Sequence, residues 1–209
     1  MSTWQVYGVR GWGSTLVEGA LSWCGIPYDF IDVEGFDRPG PARDRLLKLN
    51  PLARVPTLVA PDGEVLTESA AITLILAERH PESGLAPTVD DPTRAAFLVR
   101  LVWFVSALYP TFTYRDYPER WAARDQDGLK ANVEEFQRTL WSQFEEQVGD
   151  GPWVLGERPS ALDLFLAAFS YWSPRRPWLA EHCPRLHAIA VRADALPQLA
   201  PVIARNFHE

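Results

Sequence analysis

The residues best suited to chemistry stand where a helix begins. Glu68-Ser69 precede the alanine-rich apolar segment Ala70-Ala71-Ile72, and Ser69 reads as a helix N-cap. A helix N-terminus presents unpaired amide donors and the positive end of the helix dipole, so a carboxylate or phosphate held there is stabilised without a basic side chain. Ser160-Ala161-Leu162-Asp163 carries an acid three residues after a cap, a spacing that a capping box accounts for, so Ser160 and Asp163 are assigned to structure rather than catalysis. Thr15 with Glu18 fits the same pattern. No metal site is expected: Cys24 and Cys183 lie outside any metal-type spacing and read as two free, buried thiols.

The elements that must position these residues emerge from periodicity and breakers. Gln5 to Val9 reads as a first strand, and Arg10-Gly11-Trp12-Gly13 as a turn whose glycines permit positive φ. Leu16, Ala20 and Cys24 then lie on one helical stripe that Gly25-Ile26-Pro27 ends, before a second strand from Tyr28 to Val33. A strand, helix, strand unit of this size gives a parallel pair with a right-handed crossover. Pro41 to Leu49 reads as a short polar helix. Thr57-Leu58-Val59 and Val65-Leu66-Thr67, joined by a turn around Asp62-Gly63, read as a hairpin, and a third helix runs from Ser69 to about Arg79.

The breaker-rich segment His80 to Pro87 marks the domain boundary, giving a first domain over 1–80, a linker over 81–90 and a helical domain over 91–209. In the latter, Phe97, Leu101, Phe104, Val105 and Leu108 keep helical spacing until Pro110 interrupts or kinks the helix. Leu129, Val133, Phe136, Leu140 and Phe144 form the face of a second long helix. Leu164 to Trp172, Pro184 to Ala195 and Pro197 to Arg205 supply three more. The order βαβ, α, ββα followed by helices alone is an α/β thioredoxin-like N-terminal domain plus an all-α C-terminal domain; without a Cys-x-x-Cys pair after the first strand, dithiol chemistry is not expected.

A formal charge of −7 over 209 residues argues against nucleic acid or an anionic membrane as partner, since both require clustered Lys and Arg. No run approaches the ~20 apolar residues that span a bilayer, and no basic region precedes an apolar stretch at the N-terminus, so a cytoplasmic protein is expected.

Three signatures together resemble the cytosolic glutathione transferases, the bacterial serine-type members among them. They are Asn50-Pro51 through Val55-Pro56, then Glu68-Ser69-Ala70-Ala71-Ile72, then Trp153-Val154-Leu155-Gly156 leading to Ser160-Ala161-Leu162-Asp163. The resemblance implies a cis Val55-Pro56 peptide whose Val55 N–H and C=O pair with the cysteinyl backbone of glutathione. It implies that Ser69 and its N–H hold the γ-glutamyl carboxylate while Glu68 pairs with the ligand ammonium, and that Arg54 or Lys48 meets the glycyl carboxylate. By the same resemblance the activity is conjugation of the glutathione thiolate to a small apolar electrophile, a detoxification chemistry, in a homodimer. The alternatives are a glutathione-dependent isomerase, dehalogenase or peroxidase, or a binding protein that kept the fold and lost the chemistry.

A free thiol with pKa near ~8.5 is mostly protonated at neutral pH, and a hydroxyl donating to the sulfur near a helix start favours the anion. The window where the family places that group offers Tyr7, Ser14 and Thr15. Ser14, just after the glycine turn, is ranked first and Tyr7 is the alternative, its spacing to Arg10-Gly11 being one residue short of the tyrosine-type pattern. Gly13 stands where some bacterial members carry a catalytic cysteine, and the double serine of isomerase members is missing around Gly13-Ser14. Arg10 and Trp12 border the site. The second substrate is expected between the domains, against Tyr109, Phe112, Tyr114, Tyr117 and Trp121, where Pro110 and Pro118 break regular packing.

Overall fold

A computed structural model describes residues 3–208. The chain divides into two compact units: one runs through Ala86 and takes in the C-terminal residues from Ala195, and the other spans Pro87–Asp194. The sequence had carried the helical domain to its end, whereas by packing the last helix goes with the sheet. Its Val202 and Ile203 are 1% exposed, and Asn206 and Arg205 bond into the first unit.

In the first unit β1 (Trp4–Gly8) pairs in parallel with β2 (Tyr28–Asp32), α1 (Ser14–Trp23) making the crossover. β3 (Thr57–Val59) and β4 (Val65–Thr67) add antiparallel strands, giving the order β2-β1-β3-β4. The β3–β4 turn is the expected one, with Gly63 at φ 92 and its amide on the Ala60 carbonyl at 2.9 Å. Because strand side chains alternate, Val6 and Tyr7 serve opposite faces. Tyr7 joins Val33, Phe36, Ala53 and Leu46 of α2 (Pro41–Leu47) in one cluster. Leu16, Val17, Ala20 and Leu21 of α1 and Ile72 and Leu76 of α3 (Ser69–Arg79) are fully buried, each contributing roughly 1.5–3 kcal/mol for the larger side chains.

The second unit is helical. α4 (Arg94–Trp103) passes through a π-helical turn at Phe104–Leu108 into α5 (Tyr109–Asp116). Pro110 therefore does not end the helix. It occupies the first turn of α5, where its missing N–H is tolerated, and the wider π-turn precedes it. Against the expectation that no run approaches membrane-spanning length, the continuous helical run Arg94–Asp116 is long and apolar enough to cross a membrane by length and composition. Its Phe97, Leu101, Phe104 and Leu108 are buried.

α6 (Gln126–Gln147) starts earlier than expected, capped by Asp125, whose carboxylate accepts from the Gly128 amide. Its buried stripe is Val133, Gln137, Leu140, Trp141 and Phe144, while Phe136, assigned inward from the sequence, is 52% exposed. α7 (Ala161–Ser170) is buried on every side and packs Phe165 and Phe169 against Phe104. α8 (Arg176–His182), not foreseen, and α9 (Pro184–Asp194) close the unit, with Arg176 paired to Asp194. α10 (Ala200–Phe207) belongs to the first unit. Cys183 is buried and Cys24 only half-buried, both free.

Candidate glutathione-binding site

Strand register alone brings the sequence-selected segments together. Tyr7 of β1 is opposite Thr57 of β3, and Thr57 is opposite Thr67 of β4. β3 runs against both neighbours, so the segments after β1, before β3 and after β4 all leave the same end of the sheet. These are the Val9–Gly13 turn, Val55-Pro56 and Glu68-Ser69.

The Val55-Pro56 peptide is cis. The loop before it is organised by Asn50, buried at 5% exposure. Asn50 Nδ2 donates to the Arg54 carbonyl at 3.2 Å and to Thr57 Oγ1 at 3.1 Å, and Oδ1 accepts the Leu52 amide at 3.0 Å. Thr57 Oγ1 in turn donates to the Arg54 carbonyl at 2.9 Å. With the Arg54 carbonyl doubly satisfied, the Val55 N–H and C=O keep no partner among the described residues, leaving one donor and one acceptor at the sheet end. Asn50→Ala is expected to lower stability by about 2 kcal/mol, a melting temperature roughly 4–8 °C lower by calorimetry, because three bonds disappear and the Leu52 amide and Arg54 carbonyl lose partners. An unchanged transition would show that the loop holds itself.

At α3 the cap differs from the sequence reading. Glu68, not Ser69, occupies the N-cap, and Ser69 is the first helical residue, buried, with its carbonyl accepting Thr73 Oγ1 at 2.8 Å. Glu68 holds φ 66 and ψ 106 and is exposed. A non-glycine residue in this region stores on the order of 1–3 kcal/mol and is retained where the surroundings demand it. Since the Glu68 carbonyl accepts the Ile72 amide at 2.9 Å, the amides of Ser69, Ala70 and Ala71 precede the helical ladder and remain donors. Lys48 and Arg54 are both exposed beside this loop in sequence.

The hydroxyls offered for thiol activation are each engaged. Ser14 is fully buried and donates to the Val9 carbonyl at 2.6 Å. A Cβ on Gly8 would fall 2.2 Å from the Ser14 Cβ, so Gly8 is what lets the serine pack on the strand. Tyr7, 8% exposed in its cluster, donates to Gln5 Oε1 at 3.3 Å, and the Arg45 guanidinium lies 5.5 Å from its ring centre. Thr15, also fully buried, donates to Asn206 Oδ1 at 3.0 Å and makes no capping box with Glu18, since α1 has no side-chain cap. The donors at this helix start are main-chain ones: the amides of Gly13 and Ser14 have no hydrogen-bond partner among the described residues. Arg10 is exposed, and Trp12, 37% exposed, packs edge-on to Phe36 at 5.7 Å.

The aromatic candidates of the second unit sort into separate groups. Tyr109 and Phe112 pack with Phe169 and Trp172 at centroid distances of 5.0–5.5 Å. Tyr114 meets Trp121 edge-on at 4.7 Å, and the Arg120 guanidinium sits 3.9 Å from the Tyr117 ring. Ser160 and Asp163 form the capping box. Asp163 Oδ2 accepts the Ser160 amide at 2.7 Å, Ser160 Oγ accepts the Leu162 amide at 3.3 Å, and Asp163 Oδ1 reaches the Val154 amide at 2.9 Å. No group of residues suited to a metal ion occurs among the described residues.

A thioredoxin-like sheet joined in one chain to an all-helical unit, with free main-chain donors at one sheet end, defines the class of the protein. The pattern described as the glutathione S-transferase N-terminal domain matches residues 14–79. The chain is 43% identical over 97% of its length, and 98% of the relative's, to the uncharacterized GST-like protein YncG of Escherichia coli K12. It is 28% identical to maleylacetoacetate isomerase of Pseudomonas aeruginosa, covering 90% of this chain and 89% of that one. A glutathione transferase homologue from Sulfitobacter, solved with bound glutathione, superposes with a TM-score of 0.85 at 26% identity and 97% coverage of both chains. The chain belongs to the glutathione S-transferase family.

Proposed function

We propose that the first unit binds glutathione at the shared sheet end and that the chain is a glutathione transferase, adding the thiolate to a small apolar electrophile. The convergence of Val55, Glu68-Ser69 and the Val9–Gly13 turn through strand register carries this reading. The Val55 N–H and C=O would pair with a peptide backbone, the α3 amides and Ser69 would take the γ-glutamyl carboxylate, and the Glu68 carboxylate its ammonium. Arg54 or Lys48 would meet the glycyl carboxylate.

For the thiol, a serine has one proton, and in this geometry Val9 holds it. We therefore assign the anion's stabilisation to the Gly13 and Ser14 amides at the start of α1, with Ser14 Oγ serving as donor only if its proton leaves Val9. Neither Tyr7 nor Thr15 presents an uncommitted proton. Trp12, Tyr109, Tyr114, Tyr117 and Trp121, each with accessible surface, are the aromatic candidates for the electrophile, whereas Phe112 is buried at 5% exposure against Phe169 and Trp172 and belongs to the core. Dimerisation is part of the proposal: Val99, Val102 and Phe136 expose 70%, 55% and 52% of their surface. We assign a cytoplasmic location, consistent with two free cysteines.

A second reading, glutathione-dependent isomerisation, draws on the relationship to maleylacetoacetate isomerase. Calorimetric titration with glutathione, then turnover assays on an aryl halide and on maleylacetoacetate, separates these. Binding with aryl halide conjugation supports the transferase. Isomerisation alone selects the second reading, and no glutathione binding removes both.

A further inference from the structure

The turn that carries the proposed thiol donors is tied to the far end of the chain. Gly11, at φ 74, donates its amide to Asn206 Oδ1 of α10 at 2.8 Å, and Thr15 Oγ1 donates to the same oxygen at 3.0 Å. The other half of that amide donates to Glu18 Oε1 at 3.0 Å and to the Val202 carbonyl at 2.9 Å. An asparagine amide has two acceptor sites and two donor hydrogens, and here all four are used. Because the Gly11 amide only donates and the Val202 carbonyl only accepts, the reverse orientation is excluded. A Cβ on Gly11 would come 3.1 Å from the Asn206 carbonyl oxygen, so turn and helix are in close contact.

The residue behind Asn206 is also fixed. Glu18, 3% exposed, accepts from the Tyr28 hydroxyl at 3.0 Å and lies 3.7 Å from the Arg205 guanidinium, which donates to the Tyr28 oxygen at 2.7 Å. The buried carboxylate is thereby compensated by a phenol, an amide and a cation. Burial, with the Glu18 charge as the next cause, pushes the Tyr28 phenol well above its ordinary range, so it stays a donor.

We infer that Asn206 is a positioning residue: through Gly11 and Thr15 it sets the Arg10–Thr15 turn, so that C-terminal helix α10 controls how the Gly13 and Ser14 amides face the glutathione sulfur. This rests on the proposed glutathione site, and the test separates the two. Asn206→Ala is measured by amide hydrogen exchange of the free protein, by the pKa of enzyme-bound glutathione from thiolate absorbance, and by kcat and KM. The expected results are exchange at least tenfold faster at Gly11 and a bound thiol pKa displaced toward ~8.5. A fall in kcat of up to about a hundredfold should accompany a smaller change in KM for glutathione, as for a misplaced catalytic group. Thr15→Val, which deletes one of the bonds, should move each quantity the same way by less, and it serves if Asn206→Ala does not fold. Unchanged exchange at Gly11 overturns the clamp. Faster exchange with thiol pKa and kcat unchanged reduces it to a packing contact and overturns the positioning role. A wild-type protein that does not bind glutathione defeats the functional reading and the positioning role with it, while exchange still decides the clamp.

Discussion

Asp163→Ala is expected to destabilise the second unit by on the order of 4 kcal/mol, read as a loss of soluble protein at 37 °C or a large drop in the denaturant midpoint. Asp163 is fully buried and its two oxygens satisfy the Val154 and Ser160 amides, so truncation leaves both donors unpaired and removes half of the α7 cap. Each buried unpaired amide costs about 1–3 kcal/mol and a lost cap about 1. Against a domain stability of ~5–15 kcal/mol this is severe. Asp163→Asn, whose oxygen can accept one of the two, should fall between.

The same carboxyl gives a pH dependence of definite sign. Burial raises its pKa from 3.8 to about 6, against the opposing pull of the Val154 and Ser160 amides. The folded state thus holds this proton more tightly than the unfolded chain, so the contribution is fully present below 3.8 and is lost as pH rises through about 6. The stability difference between wild type and Asp163→Asn should therefore widen on acidification from pH 7 to pH 5. A difference that narrows would mean that the amide bonds, not burial, dominate.

Glu68→Gln is expected to weaken glutathione binding about 30-fold, or about 2 kcal/mol, by calorimetry, with the fold intact. Its side chain is exposed at the α3 N-cap, so the protein loses little, whereas the proposed ammonium partner loses a charge-assisted bond. Glu68→Gly sharpens the test. Glycine accepts φ 66 readily, so this variant should unfold at the same temperature or higher while binding as poorly as Glu68→Gln. A parallel loss of stability and binding in Glu68→Gly would show that the residue acts through the backbone instead.

Much of this was legible in the sequence where a local rule is strong. Asp62-Gly63 between the short runs Thr57–Val59 and Val65–Thr67, and the Ser160/Asp163 spacing, each specify one local structure, and the helix starting at Ser69 was placed correctly. The cap there was misassigned because Glu68 takes a positive φ that no local rule assigns to glutamate. Pro110 read as an interruption or a kink, whereas the run continues through a π-turn placed directly before it, which no local spacing marks, and Phe136 read as core because a narrow stripe fits the period as well as the one the helix uses. For the site, the three segments were visible, but their meeting place needed the Tyr7–Thr57–Thr67 register. The partners that decide proton placement were hidden. The Val9 carbonyl accepts the Ser14 hydroxyl's hydrogen bond, and Asn206 accepts the Gly11 amide across nearly the whole chain; neither leaves a mark in local spacing.

Amide chemical-shift mapping during a glutathione titration tests the central reading most directly. Saturable shifts at Val55, Ser69, Ala70, Gly13 and Ser14 are expected, with an affinity that Glu68→Gln weakens. No saturable shift, or shifts that leave these amides untouched, would contradict it.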